Sequence, residues 1–500
     1  MIKILSARQI KDLDKFTIEH EPIASIDLME RACHAFVHWF VQHVRIEKKV
    51  GIVCGTGNNG GDGLGIARML SERGYSVKVW IVRGEMNETA DFKTNLQRLP
   101  ERISPSEISK APANTLFKEC SVFVDAILGS GLSRPTEGIY ALVISSINQT
   151  KALRIAVDIP SGLFADTHSE GEIVLADHTV SFQLPKLSFL FPENHKYVGR
   201  WHLVDIGLSR EFIHDAKTNH FLAEAKSVKK MLKPRERFSH KGTYGHSLLI
   251  CGSYGKMGAC ILGAKAALRS GLGLLTLHIP QCGYSIIQTA VPEAMVSVDT
   301  NENYFSRIPE NLNYSSIGIG PGIGTDSETV KAFGKILKEF RKPMVIDADG
   351  LNILSQHKEL IELLPEGSIL TPHPKEFERL VGAWSDDFQR LELLRSFADR
   401  IKSVVVLKGA FSSVATPDGF VYFNPTGNPG MATGGSGDVL TGILAGLLSQ
   451  GYSPTEAAIL GVYAHGLSGD LAAADLGMYS LIAGDLIDFL PSALKKMHRA

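Results

Sequence analysis

"GNPGMATGGSGDVLTGILAGLLSQG" spans Gly427 to Gly451. It reads as a glycine-rich loop feeding an apolar helix, with Asp438 at the junction. Backbone N–H groups at a helix start, freed of side chains by glycine, can face an anion. A carboxylate beside them can take a proton from a hydroxyl that attacks a phosphate. A flexible loop in front of a core helix would give the same letters. The stretch lacks the G-x-x-x-x-G-K-[ST] pattern, which argues against a Walker-type NTPase.

Working outward, the segments around this stretch alternate between strand and helix patterns. HSLLICG, LGLLTLHIP, SSIGIGPG, PMVIDADG, SILTPHP and SVVVLKG are short apolar runs, and ACILGAKAALRSG reads as a helix. The same alternation fills the first half of the chain, with VGIVCG, YSVKVWIV, CSVFVDAILG and LRIAVDIPSG as strands. It implies two parallel sheets covered by helices. Between them, SREFIHDAKTNHFLAEAKSVKKMLKPRER has no long apolar run and ends at Pro234. A domain boundary is expected near residues 210–228.

The 500 residues exceed one hydrophobic core. Apolar residues make up 44% and charged residues 21%, ordinary values for a soluble globular chain. A net charge of −1 gives no basic surplus for nucleic acid or an anionic membrane. Six cysteines without a C-x-x-C pair read as reduced thiols in an intracellular protein. The charged start MIKILSARQIKDLDKF lacks the apolar core of a signal peptide. No segment reaches the ~18 apolar residues of a membrane span. A soluble, cytoplasmic protein is expected. His34 and His38 share a helix face, but without a third ligand they read as packing or surface residues.

A second glycine loop, GTGNNGGDG (Gly55 to Gly63), follows a strand and precedes a helix. Gly55, Gly57 and Gly60 satisfy G-x-G-x-x-G. Alone the match is weak, and a tight strand-to-helix turn would suffice. The next strand ends at Arg83, with Glu85 farther on, and offers no convincing ribose-binding carboxylate. Two other strand ends carry polar groups: Asp125 before GSGLSRP, and Asp158 with Ser161 in DIPSG. Strand C-termini of a parallel sheet converge on one crevice, so Asn59, Asp62, Asp125, Asp158 and Ser161 can meet there. Their oxygens suit a hard cation, and an aspartate so placed can shuttle protons.

NNGGDG, the Asp125 strand with GSGLSRP, and DIPSG together resemble the N-terminal epimerase domain of the NAD(P)H-hydrate repair enzymes, over about residues 1–215. The resemblance implies a Rossmann-like three-layer α/β/α domain that interconverts the R and S epimers of hydrated NADH and NADPH (NADHX and NADPHX). It implies a potassium ion held by Asn59, Asp125 and Ser161. The hydrate would be held by the Asn58, Asn59, Gly60, Gly61, Asp62 loop, by the Gly129, Ser130, Gly131, Leu132, Ser133, Arg134, Pro135 loop, and by Asp158. Asp158 is the expected proton-transfer group.

The GxGD of Gly435-Ser436-Gly437-Asp438 resembles the signature of the ribokinase-like fold. Sugar kinases of that superfamily carry D-T-x-G-A-G-D, whereas Ala432 stands here in place of the leading aspartate. Their N-x-x-E appears as His373-Pro374-Lys375-Glu376. Both departures match the ADP/ATP-dependent NAD(P)H-hydrate dehydratases, as do KGTYGH, the GPG turn, TPHPKE and the Lys408-Gly409 loop, over about residues 228–500. This resemblance implies a C-terminal ribokinase-like α/β domain in which Ala259, Gly322, His373 and Asp438 contact the hydrate. Lys408, Gly409, Ala410, Phe411, Ser412 and Gly437 would contact ADP or ATP. Gly434, Gly435, Ser436 and Gly437 would form the anion hole, and Glu376 would help organise Mg2+ through water. His373, between two prolines, could equally be a satisfied turn residue.

A kinase fold suits dehydration because hydroxide is a poor leaving group and phosphate a good one. Asp438 would deprotonate the hydrate's hydroxyl, and the loop amides would stabilise the transferring phosphoryl group. The fused order implies ADP as nucleotide, and the family implies a homo-oligomer. The rival is a ribokinase-like small-molecule kinase with a Rossmann-like accessory domain, which would release a stable phosphorylated product.

Overall fold

The structure, a computed structural model, describes residues 1–84, 87–112 and 116–499. Glu85 lies outside the described residues. Two compact units emerge: Lys3–Thr218 with Asp386–Phe388, and Asn219–Ser385 with Gln389–Ala500 and Met1–Ile2.

The first unit is built on a seven-stranded, wholly parallel sheet. In spatial order its strands are Ser106–Ile108, Ser76–Val82, Lys49–Cys54, Val122–Ala126, Leu153–Val157, His178–Phe182 and Arg200–Val204. Numbered along the chain from Lys49–Cys54, this is 3-2-1-4-5-6-7, the Rossmann order. The order reverses between Lys49–Cys54 and Val122–Ala126, so a crevice opens beyond their carboxyl ends. Apolar clusters fill both faces: Phe36, Phe40, Ile52, Leu64 and Phe92 belong to one, Trp80, Phe117, Phe123 and Val143 to the other. Burial on both faces explains why these strands read as unbroken apolar runs.

In the second unit, the parallel strands Met295–Val298, Leu274–Ile279, His246–Ile250, Ser316–Ile319, Met344–Ile346, Ile369–Leu370 and Val404–Leu407 lie in that order. From His246–Ile250 they again number 3-2-1-4-5-6-7, with a second crevice beside His246–Ile250 and Ser316–Ile319. Ser413–Ala415 and Val421–Phe423 then add antiparallel, and His220–Leu222 pairs beside them. These three strands hold no parallel alternation and are the part of the sheet that sequence patterning leaves unread.

The helix Ser436–Ser449 is buried from Val439 to Ser449, which explains its apolar character on every side. Among the described residues no helix is long and apolar enough to cross a membrane. Its neighbour Met257–Arg269 comes unusually close: a Cβ on Gly442 would lie 2.0 Å from the carbonyl oxygen of Gly263. On its other side Gly461 admits Leu444. Small residues thus set where Asp438, near the start of this helix, sits in the crevice.

Gly442→Ala is expected to destabilise this unit by ~1–3 kcal/mol, because backbone must shift to admit the methyl group. Gly258→Ala, on the same helix pair but with nothing within 4 Å of its Cβ, serves as the control. Thermal unfolding of the two variants checks this; equal midpoints would contradict the close packing.

Candidate active sites

In the first unit, Asn58 to Asp62 do not form a loop: they are the first residues of the helix Asn58–Glu72. Glycine permits this. A Cβ on Gly60 would fall 1.9 Å from the carbonyl oxygen of Gly55, and one on Gly55 would fall 2.0 Å from that of Ile127. The helix start is thereby pressed onto the ends of Lys49–Cys54 and Val122–Ala126, and Asn59 is buried.

Asn59 and Ser161 meet there at the carbonyl oxygen of Leu128, and Asp125 joins them through Ser161. Asn59 Nδ2 donates to that oxygen at 3.0 Å and Ser161 Oγ lies 3.2 Å from it. Asp125, 1% exposed, accepts from Ser161 Oγ at 2.5 Å and Ser161 N at 2.8 Å. Burial pushes its pKa up to about 6, against hydrogen bonds from Ser161 and Ile127. No basic group among the described residues contributes to that balance, so the buried carboxylate is not paired with a lysine or arginine there. One carboxylate, one amide, one hydroxyl and a carbonyl make an oxygen set of low charge, which fits a hard monovalent cation.

Asp158 follows the strand Leu153–Val157 with φ +65°, a left-handed conformation that aspartate tolerates at some cost and that points to function. Its Oδ1 accepts from Phe182 N at 3.0 Å and Ser181 Oγ at 3.3 Å, and pairs closely with Lys186 Nζ. Lys186 is 2% exposed and also donates to Ser181 Oγ at 2.6 Å. Two further carboxylates feel the charge of Asp158. Burial, then the Asp158 charge, pushes Asp14 of the helix Ala7–His20 up to about 7, while Lys186 opposes this. Burial and the charges of Asp158, Asp14 and Asp91 hold Asp62 well above the usual carboxylate range. In the glycine loop after Asp125, a Cβ on Gly129 would lie 3.3 Å from Asn59 Cβ. Gly131, Ser133, Arg134 and Pro135 are exposed, while Ser130 and Leu132 are half-buried.

In the second unit, Gly435 caps the helix Ser436–Ser449 at φ +90°, where a side chain would also collide with Leu262. Gly434 is open, with nothing within 4 Å of its Cβ position. A Cβ on Gly437 would lie 3.4 Å from both Asp347 Oδ2 and Lys408 Nζ. Asp347, 1% exposed, accepts from Lys408 Nζ at 2.8 Å and Thr441 Oγ1 at 2.9 Å. Burial, then the charge of Asp347, pushes Asp438 up to about 6; Lys408 opposes and Asp349 assists. Asp349 Oδ2 accepts from Gly324 N at 2.9 Å, and Ala348 between the two aspartates takes φ +49°.

Gly322, at φ +68°, packs against Lys256, and Gly252 N donates to Pro321 O at 2.8 Å, tying the two turns of the crevice together. Ala259 lies one turn before Gly263, whose Cβ position is 3.4 Å from the carbonyl oxygen of Asp438. Ser412 Oγ and the Gly409 backbone bond each other and close the Lys408–Ser412 turn, with Gly409 and Ala410 exposed.

His373 is the N-cap of the helix Pro374–Val381: its Nδ1 accepts from Lys375 N and Glu376 N at 3.1 and 3.2 Å. Nδ1 is therefore committed to the backbone, and the proton sits on Nε2. Glu376 Oε2 accepts from His373 N at 2.8 Å and lies 3.9 Å from Lys408 Nζ. His373 thus fills the turn role.

Sequence patterning passed over Asp14, Lys186, Thr441 and His465. Lys186 stands inside LPKLSF, where a lysine in an apolar run after a strand is the available signal. Asp14 lies four residues after Ile10 and beside buried Leu13, at the edge of the apolar stripe. His465 Nε2 lies 3.0 Å from Ser436 O, and burial lowers its pKa to about 4, so a neutral imidazole bonds the glycine loop. His34 and His38 are exposed.

A family model described as NAD(P)H-hydrate dehydratase matches residues 247–492, and one described as YjeF-related protein N-terminus matches residues 25–188. The bifunctional NAD(P)H-hydrate repair enzyme of Moorella thermoacetica is 38% identical, over 99% of this chain and 97% of its own. A ribokinase-like superfamily protein from Enterococcus faecalis matches 57% of this chain and 99% of its own at 27% identity, with a TM-score of 0.50. The ADP/ATP-dependent NAD(P)H-hydrate dehydratase from Bacillus subtilis, co-crystallised with ATP/Mg2+, is 32% identical over 56% of this chain and 100% of its own, with a TM-score of 0.49.

The raised pKa of Asp438 has a consequence for stability. The folded chain binds this proton more tightly than the unfolded chain, so stability falls as pH rises from the unfolded value near 4 through about 6. The loss is on the order of 3 kcal/mol. Asp438→Asn is therefore expected to unfold at a higher temperature than the parent at pH 8, with the gap shrinking at pH 4.5. A variant no more stable than the parent at pH 8 would contradict the crowding of carboxylates here.

Proposed function

The chain belongs to the bifunctional NAD(P)H-hydrate repair enzymes, and we propose that its two crevices divide the repair between them. Residues 1–215 form the epimerase, interconverting R- and S-hydrates of NADH and NADPH. Residues 228–500 form the dehydratase, returning the S-hydrate to NAD(P)H at the expense of ADP, or of ATP. The observation that carries the second assignment is the glycine-capped helix start with Asp438 raised to about 6 beside Lys408.

In the dehydratase crevice, Asp438 takes the proton of the hydrate's hydroxyl as that oxygen attacks the terminal phosphorus of the nucleotide. Its pKa leaves it ionised at neutral pH yet basic enough to serve. The Gly434–Gly437 amides receive the phosphoryl oxygens, and Lys408, fixed on Asp347, adds a positive charge beside Gly437. The ring nitrogen then expels phosphate and a neighbouring proton is lost. Ala259, Gly322 and His373 Nε2 line the hydrate, and Lys408 to Ser412 the nucleotide. Glu376 would help organise Mg2+ through water, and Mg2+ when bound would neutralise the nucleotide's phosphates.

In the epimerase crevice, Asp158 is the proton-transfer group. Losing and regaining hydroxyl beside the ring nitrogen inverts the carbon. Asn58 to Asp62 and Gly129 to Pro135 frame the hydrate. Asn59, Asp125 and Ser161 would hold K+, whose charge would compensate the buried carboxylate of Asp125. The six unbridged cysteines support a reducing, cytoplasmic setting. We also propose a homo-oligomer, with exposed Val41, near the end of the helix Ser25–His43, and Ile46, just beyond it, available to a second copy.

S-hydrate of NADH with Mg2+ and ADP or ATP is expected to regain its dihydronicotinamide absorbance with one phosphate released per turnover. Asp438→Asn is expected to lower that rate by about 10²–10⁴-fold. A stable phosphorylated product, or full rate in Asp438→Asn, would overturn the assignment.

A further inference from the structure

The glycine loop of the dehydratase crevice is held at both ends by one helix, Pro454–Leu476. At the start of the loop, Asp470 accepts from Gly427 N at 3.0 Å and from Asn428 Nδ2 at 3.1 Å. Beside that start, a Cβ on Gly466 would fall 2.5 Å from the carbonyl oxygen of Thr426, so helix and loop meet backbone to backbone. At the far end, His465 Nε2 lies 3.0 Å from Ser436 O and 3.3 Å from Ser436 Oγ.

The last two distances fix where the protons are. A carbonyl oxygen can only accept, so His465 Nε2 carries a hydrogen and donates it to Ser436 O. A protonated ring nitrogen has no lone pair left to accept with. Ser436 Oγ can therefore take at most a share of that N–H, and its own hydrogen must go elsewhere. Among the described residues no acceptor receives it. Ser436 is half-buried at the first position of the helix Ser436–Ser449. Its neighbour Gly437 has a Cβ position 3.4 Å from Lys408 Nζ, so the hydroxyl stands where the phosphoryl group is received.

We propose that the Ser436 hydroxyl is a further catalytic donor to the phosphoryl group in transfer, beside the loop amides, and that His465 is the positioning residue that aims it. This rests on the dehydratase reading of residues 228–500. The hydrate's oxygen forms a bond to the terminal phosphorus, and its proton passes to Asp438. The bond from that phosphorus to the bridging oxygen breaks, its electron pair going to the shortened nucleotide. Charge is spread over the three non-bridging oxygens as the group moves. Ser436 Oγ–H donates to one of them and keeps its proton throughout. A donor fixed at the helix start, where the group arrives, acts on the moving phosphoryl more than on the bound nucleotide.

The test uses the full chain with S-hydrate of NADH, Mg2+ and ADP or ATP, with kcat and KM measured separately. Ser436→Ala is expected to lose about 10²-fold in kcat, while KM for hydrate and nucleotide moves by less than about threefold. Ser436→Thr, which keeps a hydroxyl, is expected to recover part of the rate. His465→Ala is expected to lower kcat in the parent chain and to lower it much less in Ser436→Ala, because its effect passes through that hydroxyl. His465→Gln, which keeps an N–H donor, should recover part of the loss. If the parent dehydrates S-hydrate and Ser436→Ala keeps about a third or more of kcat, the role of the hydroxyl is wrong and the dehydratase reading stands. Equal losses from His465→Ala in both backgrounds would overturn the aiming role of His465. If the parent fails to dehydrate S-hydrate with either nucleotide, the dehydratase reading fails too. Should thermal unfolding show His465→Ala to be unfolded, Ser436→Ala decides the role of the hydroxyl, and His465→Gln in the two backgrounds that of His465.

Discussion

In each unit a lysine lies against an aspartate beyond the end of a parallel strand: Lys186 on half-buried Asp158, Lys408 on buried Asp347. Further carboxylates crowd the same space, and burial raises the pKa of Asp14, Asp62 and Asp438. A low-dielectric crevice with one ammonium and several carboxylates cannot leave every acid ionised. Burial and the neighbouring negative charges therefore favour the protonated forms of Asp14, Asp62 and Asp438. The proposed proton transfers at Asp158 and Asp438 take place in this crowded setting, because each reaction needs a proton moved at an oxygen that water alone would not activate.

The sheets make the pairing possible. Both reverse strand order beside their first central strand, so two strand ends and two helix starts face one crevice. Glycine then lets backbone approach where side chains would forbid it: Gly55 and Gly60 in one unit, Gly435 and Gly442 in the other. The cost appears as strain at Asp158 and Ala348, both non-glycine residues with positive φ at strand ends. Such strain persists because the surrounding sheet and helices over-determine the turn.

Much of this was legible in the letters. Apolar runs of strand length separated by helix patterns give the two α/β units, and the glycine loops mark where chain must pass close to chain. Asn59, Asp125 and Ser161 follow from the rule that strand ends converge: Asn59 and Ser161 share the Leu128 carbonyl, and Asp125 bonds Ser161. What the letters hid is long-range. Lys186 reaches Asp158 across 28 positions, and Asp14 arrives from a helix that precedes the sheet altogether. Neither has a local periodicity that announces it. The glycine motif also misled in one respect: NNGGD looks like loop, yet without side chains to obstruct it the stretch winds directly into helix.

The two crevices are read as consecutive steps on one damaged cofactor. The most direct test supplies pure R-hydrate of NADH, Mg2+ and ADP or ATP to the full chain, then to Asp158→Ala, to Asp438→Asn, and to the two variants mixed. Dihydronicotinamide absorbance should return with the parent chain, fail to be accelerated by Asp158→Ala, fail with Asp438→Asn, and return with the mixture. Restoration by either single variant at the parent's rate, or none with the parent, would contradict the division of labour.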